Sequence, residues 1–446
     1  MAVSIVTAAI AAGSIGCAGH EDRTRTALAA LDRGAPREAL HALDAELGVT
    51  RTEDPPVLKG DNALLLLDRA TVLQSVDRFD LSMRDFGTAD KSIDLLDMSR
   101  GKADELGKYL FSDSAGPYKA PPYEKLLINT INMMNYLALH DVAGAKVEAR
   151  RLAVMQKFVR EHEDDSGLVG LGSYLAGFAF EKAGDEGEAL AYYEDALKYA
   201  SYRSLRDPLR VLTQGRPRSR AIDAAVAGAG PLPPVAQTGE ADLIVLVGFG
   251  RVPQKMPVRV PIGVALTMCA GAISPADAAR ANALALKGLV TWVNYPVLRP
   301  GKGGYTVPAF YLDERPEPME EAIDVESHVI EAWQKKEGTI VLAAITRMIA
   351  RLVAGEIAEG VTSAAAGRDG GPLGLLAGLA TTATLAAFDT PDTRGWSTLP
   401  ARIAIARRRV PAGRHVIRLG ARGVEKAVPI DLPAGGWAVV PLMALR

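Results

Sequence analysis

The feature that most constrains the fold is a change of hydrophobic periodicity about half way along the chain. From about residue 20 to 213, apolar side chains recur every three or four positions, as in Leu127, Ile131 and Met134. That spacing places them on one face of a helix. Beyond residue 240 the pattern changes to short apolar runs of strand length, beginning with DLIVLVGF at 242–249. The chain is therefore predicted to join a helical half to a strand-rich half.

Turn-forming residues divide the helical half into hairpins. Gly34-Ala35-Pro36, Pro55-Pro56 and Pro121-Pro122 each interrupt the helical spacing. The best-formed unit carries small and aromatic residues in an order that resembles a tetratricopeptide repeat: Gly177, Phe180, Ala189, Tyr193 and Ala196. The small residues let two helices approach closely, and the aromatic residues fill the space between successive pairs. We therefore expect a tetratricopeptide-like helical domain over residues 17–213.

Two uses of such an array are open at this point. Stacked helical hairpins build concave surfaces that hold peptides or partner proteins. The same helices could instead pack on one another or on the C-terminal half of the chain. The periodicity supports both interpretations equally.

The strand-rich half follows a segment of different composition. Residues 214–240 are dense in Gly, Pro, Ala and Arg, which indicates a linker between domains. Residues 241–446 are predicted to form a β-rich α+β domain, with strands continuing through 258–268 and a helix over about 318–358. Three short strands separated by Gly-rich turns close the chain and indicate a β-sandwich-like end. At 446 residues, the chain is long enough for such a multidomain α plus α+β organisation.

One apolar segment lies between that helix and the final strands. Residues 370–388 contain no charged side chain, and their length alone permits a membrane span. Their hydrophobicity is modest, because glycine, alanine and threonine are frequent. A helix buried in the protein is the favoured interpretation, and contact with a membrane surface is the alternative.

The N-terminus has the composition of a secretory signal. Residues 2–16 carry no charge and are too short to span a bilayer, which takes about 20 residues. They end in Ser14-Ile15-Gly16-Cys17, which resembles a bacterial lipobox although Ser14 stands where a large aliphatic residue is usual. We expect residues 1–16 to be a signal peptide and Cys17 to carry the membrane-anchoring lipid. A plain secreted protein is the alternative.

Charge and cysteine content exclude several classes of protein. A formal net charge of −2 gives no basic excess for nucleic acid, so no nucleic-acid partner is expected. The run Arg407-Arg408-Arg409 is interpreted as a solvated face. Two cysteines, Cys17 and Cys269, are too few for a disulfide scaffold or a Cys-rich zinc site. The apolar surroundings of Cys269 indicate a small buried side chain rather than a nucleophile.

No local motif indicates catalysis. The chain lacks a phosphate-binding GxxxxGK[ST] loop, an HExxH helix and a GxSxG elbow. Gly248-Phe249-Gly250 follows a strand, but Pro253 excludes the helix that a dinucleotide fingerprint requires. His162 lies in an acidic stretch that is interpreted as solvated surface. We expect no cofactor, no metal and no catalytic residue, while acid–base pairs brought together from distant positions would leave no local signature.

A short polar segment before the last strands allows two interpretations. Asp392 and Arg394 are expected to pair around a turn, and Trp396 to bury beside Leu399. The favoured interpretation is a structural corner. The alternative is a binding site that uses Arg394 and Trp396.

The chain as a whole resembles an uncharacterised family of bacterial envelope lipoproteins. The matching stretches are 123–125, 135–139 and 145–151 in the helical half, and 392–400 and 410–413 in the other. The resemblance implies a lipid-anchored protein with tetratricopeptide-like helices, and it brings no established activity or catalytic residue.

These patterns together predict a non-catalytic adaptor or scaffold that binds another protein of the cell envelope. Its expected location is the periplasmic face of the outer membrane, with the N-terminal lipid as its membrane contact. Two alternatives remain: an enzyme acting on a cell-wall polymer through a dispersed site, and a structural component that inserts into the membrane.

Overall fold

The computed structural model describes residues 19–59, 62–95, 118–162, 167–228, 239–269, 273, 275–286, 292–301, 304–365 and 391–446. The predicted signal peptide, the proposed lipidation site Cys17 and the charge-free segment 370–388 lie outside these residues.

The first half is built from helical hairpins, as the periodicity predicts. Its first eight described helices are α1 (His20–Asp32), α2 (Pro36–Glu46), α3 (Asn62–Ser75), α4 (Phe79–Ser92), α5 (Pro122–Ala138), α6 (Val142–His162), α7 (Val169–Lys182) and α8 (Glu186–Leu197). Gly34 and Gly184 follow α1 and α7 with φ of +76° and +78°, a conformation that glycine adopts without strain. Strands β1 (Asp94–Leu95) and β2 (Lys119–Ala120) pair in parallel.

Two short helices lead into the second half. A 3₁₀ turn (Arg203–Leu205) precedes α9 (Arg206–Leu212), and α10 (Arg220–Val226) lies within the segment predicted to be a linker. Ser219 begins α10, and its side chain accepts a hydrogen bond from the backbone N–H of Ile222.

The second half is rich in strands. In chain order it contains β3 (Glu240–Phe249), β4 (Gln254–Pro261), α11 (Ile262–Met268), α12 (Pro275–Leu286), β5 (Trp292–Arg299), β6 (Ala309–Leu312), β7 (Arg315–Glu317), β8 (Glu320–Asp324), α13 (Val325–Ala365), β9 (Arg402–Pro411), β10 (Gly413–Ala421), β11 (Val424–Leu432) and β12 (Trp437–Ala444). The prediction of a helical half followed by a strand-rich half is confirmed.

Two local predictions were wrong. The strand predicted over 258–268 ends at Pro261, which has no backbone N–H to continue the strand pairing, and α11 follows with Pro261 as its N-cap residue. The helix predicted from about 318 begins at Val325, because Glu320–Asp324 pairs with β9 as an edge strand. The strand that pairs with Glu320–Asp324 is distant in sequence, so local periodicity does not reveal it.

Two four-stranded sheets form the centre of the second half. The first has the order β12-β3-β9-β8, with β12 parallel to β3 and the other pairs antiparallel. The second has the order β11-β10-β6-β7. Leu243, Val245 and Val247 of β3 share an apolar core with Ile417 and Leu419 of β10. The two sheets therefore pack face to face.

The opposite face of the first sheet packs on the helices. Ile244 and Leu246 of β3 belong to the same core as α3, α5 and α7, whose residues are nearly all buried. Strand β3 is thus buried on both faces, which explains why its sequence is continuously apolar rather than alternating. The molecule has three layers in this region: helices, first sheet and second sheet. The inner helices pack on the C-terminal half, whereas α2, α4, α6 and α8 keep exposed faces.

A smaller unit extends from the sheets. Strands β4 and β5 form an antiparallel hairpin that packs with α11, α12 and α13 around its own apolar core. Cys269 is part of this core with 1% of its surface exposed. Burial raises the pKa of its thiol, so Cys269 has the character of a small apolar residue.

A tight turn in the second sheet contains a histidine–carboxylate pair. Asp313 and Glu314 connect β6 to β7 with positive φ values of 49° and 66°. Asp313 accepts a hydrogen bond from the backbone N–H of Val416, and its Oδ2 lies 2.7 Å from Nδ1 of His415. Nε2 of His415 lies 2.7 Å from the carbonyl oxygen of Pro411. Burial opposes the charged imidazole, but the two acceptors outweigh it and raise the pKa of His415.

This pair predicts a pH-dependent contribution to stability. Because the pKa of His415 is higher in the folded state, its stabilisation is complete below the unfolded value of about 6.5. It is lost as pH rises through the folded-state pKa. We expect the free energy of unfolding of wild type to exceed that of His415→Gln by at most about 1 kcal/mol at pH 5.5, and by less at pH 8.5. Urea unfolding of both proteins at the two pH values measures this, and a pH-independent difference would contradict it.

Candidate functional site

The segment after residue 391 enters the helical half. Trp396 is 1% exposed and lies against Phe86 of α4, with ring centroids 5.6 Å apart. Its indole Nε1 donates to Oγ1 of Thr71 at 3.0 Å, and its backbone N–H donates to Oε1 of Glu124 at 3.2 Å. Trp396 therefore acts as a wedge among α3, α4 and α5.

Two buried carboxylates accept hydrogen bonds from this segment. Thr398 donates to Oδ1 of Asp68 from its backbone N–H at 2.8 Å and from its hydroxyl at 3.0 Å. Glu124 also accepts from the hydroxyl of Tyr118 at 2.6 Å. Burial raises the pKa of Glu124, although these donors partly offset it. Glu124 and Asp68 thus hold this segment against the helices, because they accept hydrogen bonds from its backbone N–H groups.

Asp392 and Arg394 form the turn that leads into the wedge. Oδ1 of Asp392 accepts from the backbone N–H of Arg394 at 3.0 Å and from its Nε at 2.9 Å. The carbonyl oxygen of Arg394 accepts from Nζ of Lys255 at 3.0 Å. Arg394 is 5% exposed. The structure thus places Asp392, Arg394 and Trp396 together in a buried structural corner.

A serine, a histidine and an aspartate meet beside this corner. Nε2 of His20 lies 3.2 Å from Oδ2 of Asp68 and 3.3 Å from Oγ of Ser397. In a catalytic triad the carboxylate binds one imidazole nitrogen and the serine binds the other. Here both face the same nitrogen, so His20 cannot take a proton from Ser397 while Asp68 orients it. The cluster joins α1 to the corner and does not form a triad.

A second buried cluster joins the two halves near the helix pair α7 and α8. Arg407 of β9 is 7% exposed. Its guanidinium donates to Oε1 of Glu181 at 2.7 Å, to Oδ1 of Asp242 at 3.0 Å and to the Tyr193 hydroxyl at 2.9 Å. Lys182 donates to Oδ2 of Asp242 at 2.7 Å. Burial opposes charge at Asp242, but Arg407 and Lys182 outweigh it and lower its pKa.

The interpretation of Arg407 as part of a solvated face was therefore wrong. Its strand partners and the side chains of α7 bury it, whereas Arg408, which follows it, is half-buried and Arg409 is exposed. Three adjacent arginines look equivalent in the sequence, but alternation along the strand sends Arg407 and Arg408 to opposite faces. Arg409 shares the face of Arg407 but lies near the end of the strand, where its pair with Glu240 is about one-third exposed.

The residues that the sequence predicted as a tetratricopeptide-like signature pack α7 against α8. A Cβ atom at Gly177 would lie 2.5 Å from Cδ1 of Tyr193, so only glycine allows this approach. Ala189, Tyr193 and Ala196 are fully buried, and the ring of Phe180 stacks on Tyr192 at 5.2 Å. Tyr193 also donates its hydroxyl to Oε2 of Glu181 at 2.6 Å. These residues hold the helical layer together and connect it to the Arg407 cluster.

An arginine-lined cleft lies between α1 and the C-terminal half. Its volume is about 550 Å³. Five lining residues are arginines, which are Arg25, Arg251, Arg299, Arg422 and Arg446, while Glu21 and Asp32 supply its carboxylates. This site leaves no signal in the sequence, because its arginines are scattered from the first helix to Arg446 and share no local motif.

The cleft is fixed by contacts between the two halves. Arg251 donates to Oδ1 of Asp32 at 2.5 Å and to the carbonyl oxygen of Leu28 at 3.3 Å. The guanidinium of Arg422 lies 5.3 Å from the ring centroid of Tyr305 and donates to the backbone oxygen of Arg446 at 2.5 Å. Burial, together with Glu326, raises the pKa of Tyr305 to about 12, which keeps its hydroxyl neutral.

The described residues contain no group of three or more His, Cys, Asp or Glu side chains arranged to hold a metal ion. Within the same residues, no helix combines the length and apolar composition needed to cross a bilayer.

Comparison of the whole chain with protein-family models and with curated proteins gave no match.

Proposed function

We propose that this chain is a lipid-anchored protein of the bacterial cell envelope that acts as a non-catalytic adaptor for another envelope protein. The observation that carries the proposal is the use made of its buried polar groups. His20, Asp68, Glu124 and Arg407 include residue types that serve catalysis elsewhere, yet each is engaged in joining the two halves. The result is a rigid body suited to presenting surfaces rather than to transferring protons.

The N-terminus supports attachment close to a membrane. Helix α1 begins at His20, three residues after Cys17. Three extended residues span at most about 11 Å. A lipid on Cys17 would therefore hold the helical layer against the membrane surface, which in this proposal is the periplasmic face of the outer membrane.

The outer face of α6 is the surface that we assign to the protein partner. The tetratricopeptide-like array has its inner helices covered by the first sheet, so the free surface lies on the outer helices. Val147 and Val154 are 45% and 71% exposed and are seven residues apart. That spacing places both on one face of the helix. These two valines are the exposed apolar side chains of this face that a protein partner could bury.

Photo-crosslinking in native cells tests this assignment. A benzophenone residue at Val154 is expected to give one protein adduct of fixed mass, and Val147→Glu is expected to remove it. The control position is Val416 on β10, which is 49% exposed and far along the chain from α6. Absence of an adduct at Val154, or the same adducts from both positions, would contradict the adaptor proposal. Release of soluble fragments from purified cell wall by the protein would replace it with an enzymatic function.

A further inference from the structure

We propose that the arginine-lined cleft binds a phosphate-bearing ligand. Arg25, Arg251, Arg299, Arg422 and Arg446 come from α1, the loop after β3, the end of β5, the β10–β11 turn and the segment after β12. Five arginines line the cleft, against the two carboxylates of Glu21 and Asp32. This excess of positive charge destabilises the protein unless an anion offsets the repulsion between the like charges.

The arginines are not all neutralised by the protein. Arg251 pairs with Asp32, and Arg25 pairs with Asp22. Arg299 and Arg446 are exposed, and among the described residues neither has an ion-pair partner. A planar guanidinium binds two oxygens of a phosphate at once, and several guanidinium groups suit a doubly charged group better than a single carboxylate. The cleft therefore favours phosphate over carboxylate.

The backbone at Arg422 supports a binding role for its side chain. Arg422 and Gly423 form the two-residue turn between β10 and β11, and Arg422 has φ of +48°. Asn, Asp and Gly adopt this conformation at lower cost in such turns. An arginine there is a local strain that the fold of the turn does not require, and it places the guanidinium on the ring of Tyr305 at the cleft.

The size and walls of the cleft indicate more than a free phosphate ion. Its volume of about 550 Å³ lies in the range of sites for small organic molecules. Leu28, Val252 and Met256 give it apolar walls beside the arginines. The ligand class is therefore an organic molecule that carries one or two phosphate groups.

The position of the cleft indicates where the phosphate-bearing ligand comes from, and this step rests on the proposed lipid anchor. Glu21 and Arg25 of α1 line the cleft and lie four and eight residues after Cys17. Four extended residues reach at most about 14 Å. A chain anchored at Cys17 would thus hold the cleft near the phosphates of the membrane surface, so a phospholipid headgroup is the nearest source of the same chemistry.

Calorimetric titration with pyrophosphate tests the phosphate site on the full chain in neutral detergent. We expect saturable binding that weakens with added NaCl, and a loss of at least tenfold in affinity for the double variant Arg299→Ala/Arg446→Ala. The matched control is Arg37→Ala/Arg220→Ala, which removes two exposed arginines outside the cleft. Neither Arg299 nor Arg446 supports the fold by an ion pair, so both variants should unfold at the wild-type temperature. Absence of binding to wild type, or equal affinities for the two double variants, would overturn the proposal.

A second experiment distinguishes a phospholipid headgroup from a soluble phosphorylated molecule as the ligand. The full chain with a photo-crosslinking residue at Met256 is reconstituted in vesicles of phosphatidylcholine and phosphatidylglycerol. A phospholipid adduct that excess pyrophosphate removes identifies the headgroup. Pyrophosphate binding without a lipid adduct supports the phosphate site and assigns it to a soluble phosphorylated molecule. Because the titration does not depend on Cys17, failure of the anchor and failure of the phosphate site are distinguishable.

Discussion

Trp396→Ala is expected to destabilise the protein by about 3–5 kcal/mol, the usual effect of removing a large aromatic side chain from a packed core. The side chain is 1% exposed, packs against Phe86 and donates to Thr71. Truncation leaves a cavity among three helices, and Oγ1 of Thr71 loses the hydrogen bond that it accepts from the indole. The loss should appear in the helical signal, because the wedge from the second half lies inside the first.

Urea unfolding followed by circular dichroism measures this effect. The matched control is Trp292→Ala, which removes the same side chain from a position that is 47% exposed. Its ring contacts the guanidinium of Arg259, so a change of about 1 kcal/mol or less is expected. If Trp396→Ala and Trp292→Ala lower the urea midpoint equally, Trp396 is not the wedge between the two halves.

Arg407→Met is expected to destabilise by about 3–5 kcal/mol, because it removes one partner from a buried ionic cluster and leaves the others charged. Glu181 and Asp242 lose their shared guanidinium, and Tyr193 loses a donor to its hydroxyl oxygen. Lys182 still pairs with Asp242, which limits the loss at that carboxylate.

The pH dependence of this loss has a definite sign. Arg407 lowers the folded-state pKa values of Glu181 and Asp242 against the effect of burial. Their stabilisation is therefore present above the unfolded values of about 4 and is lost as pH falls through the lower folded-state values. The deficit of Arg407→Met should be largest near neutral pH and should shrink in acid.

Two variants give controls for the Arg407 prediction. Arg409→Met removes a neighbouring arginine whose pair with Glu240 is about one-third exposed on both sides, and should cost at most about 1 kcal/mol. Asp242→Leu combined with Arg407→Met removes both charges and should recover part of the loss. A double variant less stable than Arg407→Met alone, at all pH values, would contradict an ionic origin of the effect.

The elements of the fold were predictable where their signal is local. Helical spacing predicted the hairpins, and apolar runs predicted β3 and β12 of the first sheet, because each pattern repeats within one element. Even the small and aromatic residues of α7 and α8, such as Gly177 and Tyr193, could be read as packing positions. The strand end at Pro261 was misread although its signal is local, whereas Glu320–Asp324 was misread because its partner β9 is distant in sequence.

The joints between the halves could not be predicted from the sequence. Trp396 contacts Thr71 across 325 positions, and Arg407 contacts Glu181 across 226. Neither pair is visible in local periodicity, and Arg407 is the first of three consecutive arginines that look alike in the sequence. The cleft was missed for the same reason, because Arg299 and Arg446 become neighbours of Arg25 only in the folded chain.

The anchor at Cys17 connects the proposed location, the adaptor role and the membrane source of the phosphate ligand. The mass of the mature N-terminal peptide isolated from native cells tests it directly. The proposal predicts a peptide that begins at Cys17 and carries the mass of a diacylated or triacylated cysteine. An unmodified peptide that begins before or after Cys17 would contradict the lipid anchor.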